Sequence, residues 1–252
     1  GVNKENTATS TGGGAIYSCA NGTVTISGGE IKNNNSTGSE GGAMYVTGRS
    51  ALVITGGEIS DNHITTSNRG GGIFKSGNAA FTMTGGVIKD NSTVRNDGRE
   101  GQDIYIVSGD FNLGGTAQIP DGLFIERYKN SSDGVKFYIT SPLQNNIGIE
   151  GLWTSPSTGR VVAVGKGYTI TQSDFEKISY NHASLVLKFD KDNNQIVLGK
   201  PSYTVAYTLS NMTFDGPEDI EKGTPLTTTL NPSVGYHSPS SITVKINGVE
   251  LD

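Results

Sequence analysis

The chain has 252 residues, including 36 glycines, and its formal net charge is −5. A negative chain without a basic stripe argues against nucleic acid as a partner. The single cysteine excludes a disulfide framework. No stretch reaches the roughly 20 apolar residues that a membrane-spanning helix needs, so we expect no membrane insertion within this sequence.

The chain begins as if inside a repeat. Asn6 lies 28 residues before Asn34, and residues 7–14 fill the place that residues 36–42 take in the next repeat. An uncapped solenoid end leaves strand edges unpaired. We therefore expect the sequence to be part of a longer protein, with any signal peptide upstream.

One short phrase occurs four times in the first half of the chain. It runs over Val24–Ile31, Leu52–Ile59, Phe81–Ile88 and, more loosely, Phe111–Gly115. Its glycine pairs begin at residues 28, 56, 85 and 114, so the steps are 28, 29 and 29 residues. A fixed period of this size is typical of a solenoid, because each repeat can bury its apolar face only against its neighbours.

Each repeat contains three short extended segments. The first follows a glycine cluster, the second alternates apolar and polar residues before the glycine pair, and the third is an isoleucine two residues after that pair. Period-two alternation predicts a half-buried strand, and the turns between the segments leave no room for helices. We interpret each repeat as one coil of a parallel β-helix, with about 4.8 Å between coils.

Several residues are expected to stack from coil to coil. The predicted interior columns are Ile16, Met44, Ile73 and Ile104, and Ile31, Ile59 and Ile88. Asn34, Asn62 and Asn91 form a third column, in which stacked amides can hydrogen-bond to one another. The glycine pairs supply the positive φ or the close backbone approach of a corner. We interpret the asparagine column and the glycine pairs as structural.

The phrases Gly-Gly-Gly-Ala-Ile-Tyr, Gly-Gly-Ala-Met-Tyr and Ile-Thr-Gly-Gly-Glu-Ile-Ser-Asp-Asn resemble the repeats of bacterial cell-surface β-helix proteins. These include adhesin-like proteins of gut bacteria and, more distantly, chlamydial polymorphic outer-membrane proteins. The resemblance covers about residues 6–119 and implies an all-β, right-handed, pectate-lyase-like β-helix. It also implies secretion or display at a bacterial cell surface.

After Gly115 the repeat becomes irregular. A helical turn is predicted at Ser173–Lys177, capped by Ser173, and a hairpin tip at Lys191–Asn194. Strands are predicted at 123–125, 135–139, 161–164, 185–189 and 196–198. We therefore place the β-helix at residues 1–200, with regular coils over about 6–119 and degenerate coils over about 120–200.

Pro201 marks a second boundary, since five of the eight prolines lie from there onward. Residues 203–209 and 242–246 alternate as strands, and Asn247-Gly248 is a strong tight-turn signal. We predict that residues 201–252 form a small all-β surface module, immunoglobulin-like or similar, and that either this module is truncated or more chain follows.

The best carboxylate candidates for catalysis are two stacked pairs, Glu30 with Glu58 and Asp61 with Asp90. A retaining glycosidase needs two carboxyl groups about 5 Å apart, and one coil step gives that spacing. Any repeat protein stacks like residues, however, and Val87 interrupts the glutamate column. The Asn-Thr-Asp, Asp-Asp, Gly-His-Gly and Arg-Ile-Lys clusters of β-helix pectinases do not occur in the sequence. We therefore favour a structural role for both pairs.

No cofactor is predicted, although a weak Ca²⁺ site at Asp61 and Asp90 stays open, since hard cations take carboxylate oxygens. The three histidines, His63, His182 and His237, lie in separate segments without ligand spacing and are interpreted as surface loop residues. Cys19 is expected to pack without reactivity.

Four aromatic residues form a further column, Tyr17, Tyr45, Phe74 and Tyr105, each next to an interior residue of the first segment. If the rings point outward, they could stack on sugar rings and bind a ligand. If they pack under loops or into the core, they are structural. Lys75 has the parity of Ile73, which would place a lysine inside, so the direction of the rings stays open.

The leading functional hypothesis is a non-catalytic, adhesin-like protein that presents a β-helix face to a glycan or a host-cell surface protein. The alternative is a glycoside hydrolase or polysaccharide lyase that acts along that face, because parallel β-helices host both activities. A third hypothesis is a structural spacer. A flat face of Thr, Asn and Ser would favour adhesion or spacing, whereas a cleft with two outward carboxylates would favour the enzyme.

Overall fold

The computed structural model describes residues 1–96, 100–126, 135–152, 157–204, 212–216, 219–226, 229–237, 244–246 and 249–251. The chain divides into two compact units, residues 1–199 and 200–252. The first unit is a β-solenoid whose coils stack in parallel. The predicted all-β class and parallel stacking are thus confirmed.

Sheet A is the longest of the three sheets of the solenoid. Its strands are, in spatial order, Val2–Lys4, Thr23–Lys32, Ala51–Ser60, Phe81–Lys89, Asp110–Gly115, Lys136–Leu143, Val161–Gly165, Gln195–Gly199 and Val186–Asp190. The strands up to Val161–Gly165 pair in parallel. The last two strands are antiparallel to their neighbours.

Sheets B and C complete each coil. Sheet B consists of Thr7–Ala8, Asn35–Ser36, His63–Ile64 and Ser92–Thr93. Sheet C consists of Ile16–Ser18, Met44–Val46, Ile73–Lys75, Ile104–Ile106, Ile119–Ile125, Ile147–Leu152 and Ile178–Tyr180. The chain passes from sheet C to sheet A and then to sheet B in each regular coil.

The glycine pair bends a continuous strand of sheet A and does not separate two strands. Gly29, Gly57 and Gly86 have φ of 85°, 90° and 85°, and the pairing register shifts at these positions. A Cβ on Gly57 would lie 2.9 Å from the carbonyl oxygen of Gly29. Both the left-handed backbone and this close approach require glycine. The second and third predicted segments are therefore one strand, and the third face of the coil is sheet B.

Sheet B was not predicted from the sequence. Its strands are two residues long and directly follow the asparagine column. Ser36, Ile64 and Thr93 are buried, but two residues carry too little alternation to be recognised.

The predicted interior columns form the core. Met44, Ile73 and Ile104 are fully buried, as are Ile59 and Ile88, and each full burial of such a side chain stabilises the fold by about 1.5–3 kcal/mol. Ile16 and Ile31 belong to the same core, although Ile16 is only half-buried. The remaining core positions come largely from sheet A, with Leu52, Phe81, Phe111 and Phe137 in register.

The asparagine column is a hydrogen-bonded ladder, as predicted. The Oδ1 of Asn62 accepts from the main-chain N–H of Asn34 at 3.0 Å and from its Nδ2 at 2.9 Å. Asn91 accepts the same two bonds from Asn62, at 3.0 Å and 2.9 Å. Asn6 donates likewise to Asn34. The Nδ2 of Asn62 also bonds the carbonyl oxygens of Ser60 and Ile31, so the ladder satisfies buried main-chain groups at a corner.

Beyond Gly115 each predicted strand of the solenoid is present: four are longer than predicted, and the strand predicted at 185–189 is shifted by one residue, to Val186–Asp190. The hairpin tip is confirmed, since Asp190 pairs with Gln195 across residues 191–194. The helix spans Gln172–Phe175, and its cap is Thr171, whose side chain accepts from the main-chain N–H of Asp174. The prediction of Ser173 as the cap was wrong because Thr171 and Asp174 form a reciprocal capping box two residues earlier.

The second unit contains three antiparallel strand pairs. These are Ser202–Thr204 with Asp219–Glu221, Met212–Asp215 with Thr229–Pro232, and Val244–Ile246 with Val249–Leu251. Residues 205–209 and 242–243 of the predicted strands, and the predicted turn at Asn247-Gly248, lie outside the described residues. In the described part of both units, no helix has the length and hydropathy to cross a membrane.

Candidate binding surface on sheet C

An aromatic column runs along sheet C through five coils. Tyr17 pairs in register with Tyr45, Phe74, Tyr105 and Phe124 in turn. Consecutive ring centroids are 5.4, 5.2, 5.7 and 4.8 Å apart. These separations lie in the range of favourable aromatic pairs.

The ring column lies on the outer face of the sheet. Phe74, Tyr105 and Phe124 form a hydrophobic cluster separate from the core, with Tyr45 packed against it. The residues on either side of Tyr45, Met44 and Val46, belong to the core instead. The aromatic rings, whose direction could not be predicted from the sequence, therefore point outward.

Lys75 is inside the solenoid, as its parity with Ile73 required. It is in register with Val46 and Ile106 and is fully buried. Its Nζ donates to the carbonyl oxygens of Ser76 at 2.8 Å and Gly77 at 3.1 Å. Burial lowers the pKa of the Lys75 amine to about 8, because a low-dielectric interior disfavours the charged form.

Most of the ring column is covered. Phe74, Tyr105 and Phe124 are buried, Tyr45 is half-buried, and Tyr17 is 45% exposed. The guanidinium carbon of Arg69 lies 5.0 Å from the centroid of the Tyr105 ring. The hypothesis that the rings pack under loops therefore holds for the later coils, and solvent reaches the column mainly at Tyr17.

Acidic groups flank the covered end of the column. The hydroxyl of Tyr105 donates to Glu126 Oε2 at 2.9 Å. Glu150 accepts from the main-chain N–H groups of Gly101 at 3.2 Å and Gln102 at 2.8 Å. Burial raises the pKa of Glu150 to about 7, and Glu100 beside it adds to the shift. Both oxygens of Glu150 hold a loop backbone, so we assign it a structural role.

The predicted glutamate pair is stacked on sheet A. Glu30 is in register with Glu58, and Glu58 with Val87. Lys32 pairs with Glu30, and Lys89 Nζ lies 3.6 Å from Glu58 Oε1. The hydrogen bond from Lys32 lowers the pKa of Glu30, which is opposite to the shift that a general acid needs. A catalytic role for this pair stays a prediction.

The predicted aspartate pair lies at the corner beside the asparagine ladder. Asp61 and Asp90 are exposed and have φ of 55° and 56°. Lys89 Nζ lies 4.0 Å from Asp90 Oδ2. Among the described residues, no three His, Cys, Asp or Glu side chains are grouped to hold a metal ion. The weak Ca²⁺ site and the catalytic role of Asp61 and Asp90 remain predictions.

The outer face of sheet A carries short polar and β-branched side chains. Thr25, Val53, Thr82 and Asn112 follow one another in register, and Asn112 Nδ2 donates to Thr82 Oγ1 at 3.3 Å. Farther along, Lys166 Nζ lies 4.4 Å from the centroid of the Tyr138 ring. Thr, Val and Asn side chains thus form one column on the outer face of this sheet.

Two smaller predictions are corrected. His63 lies in a strand of sheet B and is half-buried, with its Nδ1 2.7 Å from Ser92 Oγ; the prediction of a loop residue was wrong because that sheet was not predicted. Cys19 is exposed and free, since it follows Ser18 at the end of its strand. His182 stacks on Tyr180 at 5.4 Å, and His237 is exposed as predicted.

Comparisons with protein-family models, with curated proteins and with solved structures find no match to this chain.

Proposed function

We propose that this chain is a non-catalytic binding solenoid that presents its outer face to a glycan or to a host-cell surface protein. The observation that carries the proposal is the ring column, which lies on the outer face of sheet C, outside the core. The core packs without these rings. Aromatic side chains on an outer face that the core does not use are typical of recognition surfaces.

We further propose secretion or display at a bacterial cell surface. The support is the resemblance of the repeats to those of bacterial surface β-helix proteins. The second unit supports it as well, since its three antiparallel pairs suit a small all-β module.

The absence of catalysis is part of the proposal. Glu30 and Glu58 each face a lysine, and a carboxylate held in an ion pair is a poor proton donor. Asp103 and Glu150 have raised pKa values, but their oxygens accept structural hydrogen bonds.

The test combines a glycan array with a polysaccharide-degradation screen on the same sample of the intact chain. We expect binding to glycans without product release. Binding of the labelled chain to epithelial cells, before and after periodate or protease treatment, separates a glycan partner from a protein partner. Silence in the array and on cells would contradict the proposal and favour a structural spacer.

Product release would also overturn the proposal, and a variant pair would then locate the activity. Glu30→Gln with Glu58→Gln removes both candidate carboxylates, whereas Glu176→Gln changes an exposed carboxylate at the end of the short helix. Loss of product in the first variant alone would identify a carbohydrate-active enzyme on sheet A.

A further inference from the structure

Four side chains from three successive coils meet on the outer face of sheet A. The ammonium nitrogen of Lys166 lies 4.4 Å from the centroid of the Tyr138 ring. It also lies 3.6 Å from Asp110 Oδ2 and 3.4 Å from Asn112 Oδ1. Asn112 is held in turn by the bond that its Nδ2 donates to Thr82 Oγ1. We call Asp110, Asn112, Tyr138 and Lys166 the sheet A cluster.

The sheet A cluster departs from the repeat. One column on this outer face begins with Thr25, Val53 and Thr82, in register, and then changes to Asn112 and Tyr138. Stacked coils repeat short side chains because equal steps give equal environments. Residues that break the pattern in adjacent coils, and whose side chains then meet, indicate a local role beyond stacking.

The cluster lies within sheet A and not at its edge. The strands Asp110–Gly115 and Lys136–Leu143, which carry three of its members, each pair with a strand on both sides. The side chains of Asp110 and Lys166 are 40% and 51% exposed, and Asn112 and Tyr138 are half-buried. Solvent therefore reaches the cluster from the face of the sheet.

The ion pair of the cluster offers donors and acceptors side by side. An ammonium has three N–H donors, and a carboxylate has about four acceptor sites. Among the residues that the structure describes, the Lys166 side chain donates one hydrogen bond, to Asn112, and the Asp110 carboxylate accepts none. An exposed ion pair adds little to folding stability, so both groups are available to a polar ligand.

This chemistry matches two adjacent hydroxyl groups of a sugar. A hydroxyl both donates and accepts, so one can donate to the Asp110 carboxylate while its neighbour accepts from the Lys166 ammonium. An anion would be repelled by Asp110 and a cation by Lys166, whereas a neutral diol leaves the ion pair intact. A few convergent polar groups beside an aromatic ring are how proteins orient such ligands.

We propose that the sheet A cluster binds a vicinal diol of one neutral pyranose unit of a glycan. Asp110 accepts from the first hydroxyl, and Lys166 donates to the second. Tyr138 holds the ammonium in place, since the face of an aromatic ring attracts a cation. The inference rests on the proposed binding function for its ligand class, and it places a contact on a sheet other than the one that carries the ring column.

Isothermal titration calorimetry of the intact chain tests the proposal with three neutral probes that have adjacent hydroxyls, cellohexaose, maltohexaose and mannohexaose. We expect at least one of them to bind. Periodate, which cleaves the carbon–carbon bond of a vicinal diol, should abolish the binding of that probe. Asp110→Asn and Lys166→Met should each weaken binding by about tenfold or more, because each removes a hydrogen bond that involves a charged group.

Lys136→Met is the matched control. Lys136 is exposed and in register with Asp110, so this variant removes a neighbouring ammonium and keeps the ion pair. Binding should stay within about twofold of wild type, because a neutral sugar has no charge for that ammonium to attract. Circular dichroism of each variant checks that the solenoid is retained.

The outcomes separate the cluster from the proposed function. Binding that Asp110→Asn and Lys166→Met weaken, and Lys136→Met does not, supports the subsite. Binding that survives both cluster variants, an equal loss in Lys136→Met, binding of the oxidised probe, or no binding of any probe overturns it. Glycan or cell binding that both cluster variants leave intact would keep the proposed function and place it on another face.

Discussion

The carboxylate of Asp103 accepts two hydrogen bonds from Asn91, from its main-chain N–H at 3.1 Å and from its Nδ2 at 2.9 Å. These are the two bonds that each asparagine of the ladder accepts from the coil before it. Gln102 has a similar role in sheet B, where its Oε1 accepts one hydrogen bond, from the main-chain N–H of Thr93 at 2.9 Å. Two side chains thus replace a strand and cap the last described strand of sheet B.

This cap predicts a pH-dependent stability. Burial raises the pKa of Asp103 from 3.8 to about 6, so the folded state favours the neutral carboxyl group. A raised folded-state pKa contributes stability below about pH 4, and the contribution is lost as the pH rises through about 6. Relative to Asp103→Asn, wild-type protein should lose on the order of 3 kcal/mol of unfolding free energy between pH 4 and pH 7.

Urea denaturation across that pH range measures the effect. Asp103→Asn keeps an oxygen that accepts both bonds but does not titrate. Asp61→Asn, at an exposed corner in the same fold, is the control and should follow the wild-type curve. Parallel curves for wild type and Asp103→Asn would refute the prediction.

The ladder predicts a strong difference between two asparagines. Asn62 is fully buried and its side chain takes part in five hydrogen bonds, so Asn62→Ala leaves buried main-chain groups without partners and should cost at least about 3 kcal/mol. Asn6→Ala, at an exposed position of the same ladder, should cost less than about 1 kcal/mol. Denaturant unfolding of both variants measures this, and equal losses would argue against cooperative support by the ladder.

Lys75 predicts a second pH effect, at alkaline pH. Its folded-state pKa is lowered from 10.5 to about 8, so the neutral amine is favoured inside. Stability from this group is complete above about pH 10.5 and is lost as the pH falls through about 8. Relative to Lys75→Met, wild-type protein should therefore gain on the order of 3 kcal/mol between pH 8 and pH 10.5.

Thermal or denaturant unfolding over this range measures the Lys75 effect. Lys136→Met replaces an exposed lysine of sheet A and serves as the control, with an unchanged pH profile. A flat difference between wild type and Lys75→Met would mean that the amine does not titrate inside the solenoid.

The bend in sheet A predicts that alanine has different effects at Gly57 and at Gly28, the first glycine of the preceding pair. Gly57→Ala forces a side chain into φ of 90° with its Cβ 2.9 Å from a carbonyl oxygen and should destabilise the solenoid by at least about 2 kcal/mol. Gly28→Ala meets no atom within 4 Å and should change the unfolding free energy by less than about 0.5 kcal/mol. Melting temperatures of the two variants suffice, and similar losses would contradict the bend geometry.

The sequence predicts the periodic part of this fold well. Ile59 and Asn62 recur at a fixed step, and in a stacked coil equal steps mean equal environments. Periodicity alone did not predict which columns point inward. Lys75 shares a face with Ile73, and hydrophobicity alone would not place a lysine in the interior. The structure accommodates Lys75 through two carbonyl groups at a turn, which are main-chain acceptors and leave no mark in the sequence pattern.

The aperiodic features were harder to predict. Asp103 follows Asn91 by 12 residues, not by 28 or 29, yet it accepts the hydrogen bonds at the end of the ladder. The contact of Arg69 with the Tyr105 ring was missed too, because the residues at the matching positions of the other coils differ in chemical type and form no like-for-like repeat.

The ladder also makes length a discrete property of this protein. Removing residues 63–91 would join Asn62 to Ser92 and let Asn62 take the place of Asn91 against Asp103, with every bond of the corner restored. Removing part of a strand or of the corner would instead leave the amides of adjacent coils out of register. The ladder therefore allows the solenoid to be lengthened or shortened by a whole coil, about 4.8 Å, without loss of any of its hydrogen bonds.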